Sequence, residues 1–190
     1  QELFKSLQFH NFVTVEAGAE FLGGLKGVSE PEEKRKTFAT VYFEIFSKQA
    51  SELKKSKHID FLAQGTIYPD RIEAGKASKM AAVIKTHHNL YPPEKFGMEI
   101  LEPLGEFYKD EVRALGLELG LSNESVYRHP FPGPGLAIRI LGEITPERVT
   151  LLQDVDKIFI EELKESGWYD KTWQAFAALI PVKAVGVKGD

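Results

Sequence analysis

Between residues 38 and 53, Phe38, Val41, Tyr42, Ile45, Phe46 and Leu53 recur at the spacing of one helical face. Just upstream, Ser29-Glu30-Pro31-Glu32 has the form of a capping box with proline in the first turn, so a helix is predicted from there to about Lys57. Residues 58–63 form a short apolar run that ends in Gln64-Gly65-Thr66. This predicts a strand followed by a loop, the place where open α/β sheets put ligands. Leu104, Tyr108, Val112, Leu115 and Leu119 predict a second helix, stopped by Gly120. Thr145-Pro146-Glu147 opens a third, with Val149, Leu152, Phe159 and Leu163 on one face. Residues 136–141 and 181–187 read as strands, and 173–179 as a short helix. Residues 10–28 mix apolar clusters with glycines and read as strand, turn and short helix, whereas 74–98 carry no periodicity. The order predicts an α/β domain with a parallel sheet flanked by helices, then a smaller α+β unit.

The boundary falls in the run 128–139, Arg-His-Pro-Phe-Pro-Gly-Pro-Gly-Leu-Ala-Ile-Arg. Proline fixes φ and glycine opens conformations closed to other residues, so this is a stiff, bent crossing between two folded units. The expected division is 1–132 and 133–190.

Composition narrows the picture. The 190 residues are 43% apolar and 27% charged, the profile of a soluble globular protein. A net charge of −4 with interspersed signs argues against a nucleic-acid or polybasic membrane surface. No apolar run approaches membrane-spanning length, and no signal-peptide pattern opens the chain. Cysteine is absent, so disulfides, thiolate metal sites and a cysteine nucleophile are excluded within these residues, and a cytoplasmic location fits. The chain opens on Gln1 and reads as a piece of a longer polypeptide.

Several groups carry candidate chemistry. If Pro69 opens a helix, Asp70 and Glu73 share a face, where they either complement the helix dipole or hold Mg²⁺ against phosphates. Lys76, Lys79 and Lys85 lie in the aperiodic stretch, as solvated charges or as cations closing over a polyphosphate. Adjacent His87 and His88 point in different directions in an extended chain, so joint chelation is not expected. Lys109 and Arg113 are like charges four apart on one helix, a mildly unfavourable pair that suggests an anion between them. Lys34-Arg35-Lys36 places cations at a helix start against the dipole, which suits a phosphate or carboxylate ligand.

The residues 128–139 also resemble, position for position, a signature of GMP synthetase, the enzyme that aminates xanthosine monophosphate (XMP) to GMP. So do Glu32-Glu33-Lys34-Arg35-Lys36, Ala63-Gln64-Gly65-Thr66-Ile67-Tyr68-Pro69-Asp70, Ile84-Lys85-Thr86-His87-His88-Asn89, Glu102-Pro103-Leu104, Tyr108-Lys109-Asp110-Glu111-Val112-Arg113, Trp173-Gln174-Ala175-Phe176 and Val185-Gly186-Val187-Lys188-Gly189-Asp190, in family order. The resemblance implies the later half of an ATP pyrophosphatase domain of the adenine-nucleotide α-hydrolase type, followed by the start of a dimerisation domain. It implies ATP and Mg²⁺, XMP as substrate, ammonia from a glutaminase domain or subunit, and a homodimer. By position, Asp70, Glu73, Lys85, Lys109, Asp110 and Arg113 take catalytic roles, with Asp70 and Glu73 also on the metal. Arg35 and Asp190 take XMP, and Gln64 and Gly65 approach the nucleotide. The family's Ser-Gly-Gly-x-Asp-Ser phosphate loop is not in these residues, so the 190 residues alone are expected to be inactive. Two rivals stay open: another ATP pyrophosphatase such as NAD synthetase, and a non-catalytic nucleotide-binding or dimerisation module that has lost its phosphate loop.

Overall fold

Two helices open the described part of the chain and pack against each other: α1, Gly18–Leu25, and α2, Pro31–Ser56. The computed structural model describes residues 11–72, 98–131 and 133–182. Gly24 allows the two helices to approach closely, since a Cβ there would meet Val41 Cγ2 at 2.7 Å. Phe21 stacks on Phe38 across the contact, with ring centroids 4.4 Å apart. Helix α2 ends within a residue of its predicted end, but its start differs from the capping-box reading. Glu30, not Ser29, is the N-cap, Pro31 is the first helical residue, and no side chain caps the turn. Proline suits that position because its missing N–H is one the helix leaves unpaired.

Strand β1, Phe61–Ala63, is where the apolar run predicts it. Its partner β2, Glu99–Leu101, was not foreseen. The two pair in parallel, Leu62 opposite Ile100. The expected parallel α/β arrangement is thus present in a small, helix-rich form. Helix α3, Lys109–Glu118, begins later than its apolar spacing suggests, because Leu104 belongs to the turn that precedes it. Its end is as expected. Gly120 sits at φ +84°, its N–H donates to Leu117 O, and Leu121 N–H donates to Gly116 O, which is a Schellman closure. A short helix α4, Asn123–Val126, follows.

After the crossing, two readings need correction. Residues 136–139 form one helical turn, α5, Leu136–Arg139, rather than a strand. A short apolar run does not distinguish the two states by period alone. Only Ile140 is extended, and it bridges in parallel to Leu179. Conversely, 173–179 is not helical, and from 175 to 180 exposure alternates residue by residue, the signature of an extended chain. The predicted strand 181–187 lies almost wholly outside the described residues. Helix α6, Pro146–Glu165, has its predicted start: the Thr145 side chain accepts from Arg148 N–H and Pro146 leads the first turn.

The buried apolar cluster is Leu25, Ala137, Ile140, Ile144 and Leu152. It draws on α1, α5, α6 and the residues between them, so it joins both sides of the crossing. Beside it lies Lys34, only 1% exposed. Its Nζ donates to Ile140 O at 2.5 Å and Gly142 O at 2.6 Å. The cation at the start of α2 therefore meets backbone carbonyls beyond the crossing. Burial pushes the Lys34 ammonium below its usual range, nearby Arg148 adds to the shift, and Glu30 opposes it.

Replacing Lys34 with methionine keeps the aliphatic stem but strips both carbonyls of their donor. A loss of about 3 kcal/mol in unfolding free energy is expected, measured by urea denaturation. The lowered value means the unfolded chain holds this proton more tightly than the folded one. Wild-type stability relative to Lys34→Met therefore rises as pH climbs toward the unfolded value of 10.5. Parallel denaturation curves at neutral and alkaline pH check the sign.

Candidate functional site

The carboxyl end of β1 feeds directly into the segment that holds Gln64, Gly65 and Asp70. Gln64 N–H donates to Leu101 O at 2.9 Å, extending the pairing one residue past the strand. Residues 68–72 are helical, as Pro69 suggested. Asp70 accepts the Ile67 N–H on Oδ2 at 3.1 Å and so closes the first turn. This is the role by which an acid in the first turn complements the helix dipole. Tyr68 N–H donates to Phe107 O at 2.9 Å, and Tyr68 meets Tyr108 edge-on at 5.1 Å. Arg71 crosses to the same loop, pairing with Glu106 and reaching Gly105 O. The Asp70 turn and the start of α3 are thus one tied unit.

Helix α3 then presents its charges. Glu111 Oε2 accepts the Tyr108 N–H at 2.7 Å, fixing the first turn. Arg113 pairs with Asp110 at 3.2 Å and is largely buried, whereas Asp110 is exposed. Lys109 is exposed, yet it and Arg113 lie against one ring. Lys109 Nζ lies 5.1 Å from the centre of the Trp173 ring and Arg113 Cζ 5.9 Å from it. Arg113 also lies 5.5 Å from the Tyr127 ring. Aromatic faces carry partial negative charge, which eases the crowding of two cations. The buried Arg113 Nε has no hydrogen-bond partner among the described residues.

Arg113, Tyr127 and Trp173 belong to the wall of an open cleft of about 740 Å³ between the α3–α4 region and the end of α6. Arg128, His129 and Lys164 line it too, and Lys164 is paired with Glu124 across the gap. That contact holds the Glu124 carboxyl below and the Lys164 ammonium above their usual ranges. The far wall is set by a second Schellman closure, with Gly167 at φ +70° and Trp168 N–H on Leu163 O, which turns the chain into the Tyr169–Lys171 3₁₀ turn.

His129 joins the walls. It is 5% exposed and stacks on Tyr169 at 3.9 Å, nearly coplanar. Its Nδ1 accepts the Ala175 N–H at 3.2 Å, and its Nε2 faces Tyr169 O at 2.9 Å. A backbone N–H only donates and a carbonyl only accepts, so the ring must carry its proton on Nε2. Its own N–H donates to the Tyr169 hydroxyl at 3.2 Å. Further along the crossing, Arg139 pairs with Asp156 at 2.7 Å between the Phe131 and Phe176 rings, and Asp156 also accepts Ala177 N–H.

Of the residues singled out from sequence, Lys109, Asp110 and Arg113 come together beside this cleft. Asp70 is tied to them through the 105–108 loop but is not in the cleft wall. Gln64 and Gly65 follow β1 as expected. Arg35 is exposed on α2, paired with Glu32 at 3.4 Å, and does not line the cleft. Glu73, Lys76, Lys79, Lys85, His87, His88 and Asp190 lie outside the described residues. Among those described, no three His, Cys, Asp or Glu side chains converge as metal ligands. They do not by themselves make the expected Mg²⁺ site, because Glu73 is not among them. Also among the described residues, no helix is long and apolar enough to cross a membrane. Sequence reasoning gave no role to Tyr127, His129, Lys164, Tyr169 or Trp173. The signal was the placing of aromatics in non-helical stretches next to cations.

Residues 161–190 match the GMP synthase C terminal domain. A protein of Petrotoga mobilis named GMP synthase [glutamine-hydrolyzing] is 52% identical over 191 residues, covering 100% of this chain and 37% of the relative. Proteins of the same name from Campylobacter jejuni and Phenylobacterium zucineum are 52% and 54% identical, covering 99% and 94% of this chain and 36% and 34% of their own length. This chain is similar to GMP synthases from end to end. The resemblance read from the motifs therefore holds, and the chain spans about a third of the length of the relatives it matches.

Replacing His129 with phenylalanine keeps the stack on Tyr169 and removes both ring hydrogen bonds. A loss of about 2 kcal/mol in stability is expected. Nitrogen-15 NMR of the wild-type imidazole is expected to show a bare Nδ1 and a protonated Nε2.

Proposed function

We propose that this chain is the XMP-activating portion of a glutamine-hydrolysing GMP synthase. The observation that carries the reading is the identity of about half of all positions, along the whole chain, with proteins of that name. In the proposed reaction the 2-oxygen of XMP attacks the α-phosphorus of ATP, and pyrophosphate leaves. Ammonia released from glutamine then adds at the same purine carbon and AMP departs, giving GMP.

The geometry supports roles for the described residues. Lys109 and Arg113 lie side by side beside the cleft, where fixed cations stabilise the charge that builds on departing pyrophosphate. Asp110 orients Arg113 through their ion pair. Gln64 and Gly65, past the end of β1, approach the nucleotide, and Asp70 adds a carboxylate next to them. Glu73 and Lys85 complete the catalytic set, and Arg35 and Asp190 recognise XMP, as the resemblance implies. The parallel pair β1–β2 suits the sheet of an adenine-nucleotide α-hydrolase-like domain over 1–132, and residues 133–190 suit the start of a dimerisation domain. A homodimer, a glutaminase domain or subunit supplying ammonia, Mg²⁺ with the ATP, and a cytoplasmic location belong to the same reading.

In the intact protein, XMP is expected to stimulate isotope exchange between ATP and pyrophosphate. Glutamine hydrolysis without any XMP-dependent exchange would sink the reading. Asp70→Asn retains an acceptor for Ile67 N–H but loses the charge. It is expected to slow exchange by about 100-fold while leaving the melting temperature and glutamine hydrolysis near wild type.

A further inference from the structure

The second unit reaches into the first at one point that no role yet explains. Trp173 follows the Tyr169–Lys171 turn, well past the crossing, and is 69% exposed. A large indole left so open contributes little to the core. Yet its ring faces both cations of α3, Lys109 at 5.1 Å and Arg113 at 5.9 Å. Tyr127 takes Arg113 from another side at 5.5 Å, and the ring also forms part of the cleft wall. Its segment is anchored behind it: His129 Nδ1 accepts Ala175 N–H, and Gln174 Nε2 donates to Pro130 O.

We infer that Trp173 is a positioning residue, an aromatic platform that holds Lys109 and Arg113 together toward the phosphates of a nucleotide in the cleft. Without the platform, two like charges one helical turn apart separate into solvent. With it, the flexible lysine stem is gathered toward Arg113, and the cost of ordering both side chains is met before the ligand arrives. Docking of the second unit thereby completes the anion-binding edge of the first. This inference rests on the reading above for the identity of the ligand, and on the geometry alone for the platform.

Two readouts test it in the intact protein. Subtracting the emission of Trp173→Phe from that of the wild-type protein isolates the signal of Trp173 from that of Trp168 and of any tryptophan elsewhere in the intact protein. Titration with inorganic pyrophosphate is expected to change its emission saturably, because the anion binds the two cations that lie against the ring and alters the field at the indole; no change overturns the platform. In exchange kinetics, Trp173→Leu is expected to raise the KM for ATP about tenfold with a smaller change in kcat. Trp173→Phe, which keeps a π face, is expected to stay within about threefold of wild type. A leucine variant equal to wild type, or a phenylalanine variant as impaired as leucine, overturns the proposal. If wild type shows no exchange at all, the reading of the reaction falls, and the pyrophosphate titration still decides the role of Trp173.

Discussion

A single buried ammonium ties the long second helix to the part of the chain beyond the crossing. Lys34 sits at the start of α2 and gives its protons to the carbonyls of residues 140 and 142. Those carbonyls belong to a stretch with little regular pairing, between α5 and α6, where partnerless acceptors would carry the full cost of losing water. The buried apolar cluster gathers around the same point, and it is small: five residues among those described. With so little apolar surface, a directional contact fixes which way the two sides meet. Everything placed on the far side, from the Ile140–Leu179 bridge to the Tyr169 turn, inherits its position from that contact and from the His129 latch.

The cleft follows from this docking. Its near wall includes Arg113 of α3, with Lys109 beside it, and its far wall is the end of α6 and the aromatics that follow it. In the proposed reading, neither wall makes a nucleotide edge alone. The cations need something to offset their mutual repulsion, and the aromatics need charge beside them to select a phosphate over any flat apolar molecule. Meeting at the crossing, they supply both. The stiffness of the proline-glycine run fits this arrangement, because a flexible joint would let the walls separate.

The sequence made the long helices legible through their periodicity, although the capping box placed the N-cap of α2 one residue early. Thr145-Pro146 and Gly120 mark ends that the structure shows. It was less informative where elements are short. The turn at Leu136–Arg139 and the extended stretch after Thr172 were exchanged, since four to seven residues hold too little periodicity and the outcome is set by the bridge between Ile140 and Leu179. β2 was hidden because three residues with a charged first position carry no strand signal by themselves. For the candidate site, the charges were legible and their surroundings were not. The pairing of Lys109 with Arg113 raised the question of what offsets them, but only the folded chain brings residue 173 to the answer. Lys34 is the opposite case. Its triplet suggested a ligand, and a distant stretch of backbone took that place.

The partners of Lys34 lie 106 and 108 residues further along the chain. Ribosomes extend a chain at about 5–20 residues per second. For several seconds of synthesis, then, the amino-terminal helices are out of the exit tunnel while the carbonyls that will receive this lysine have not yet been made. The ammonium spends that time hydrated, and the face of α2 around it waits for its partners. Completion of this contact is therefore timed by translation of the chain's own later half.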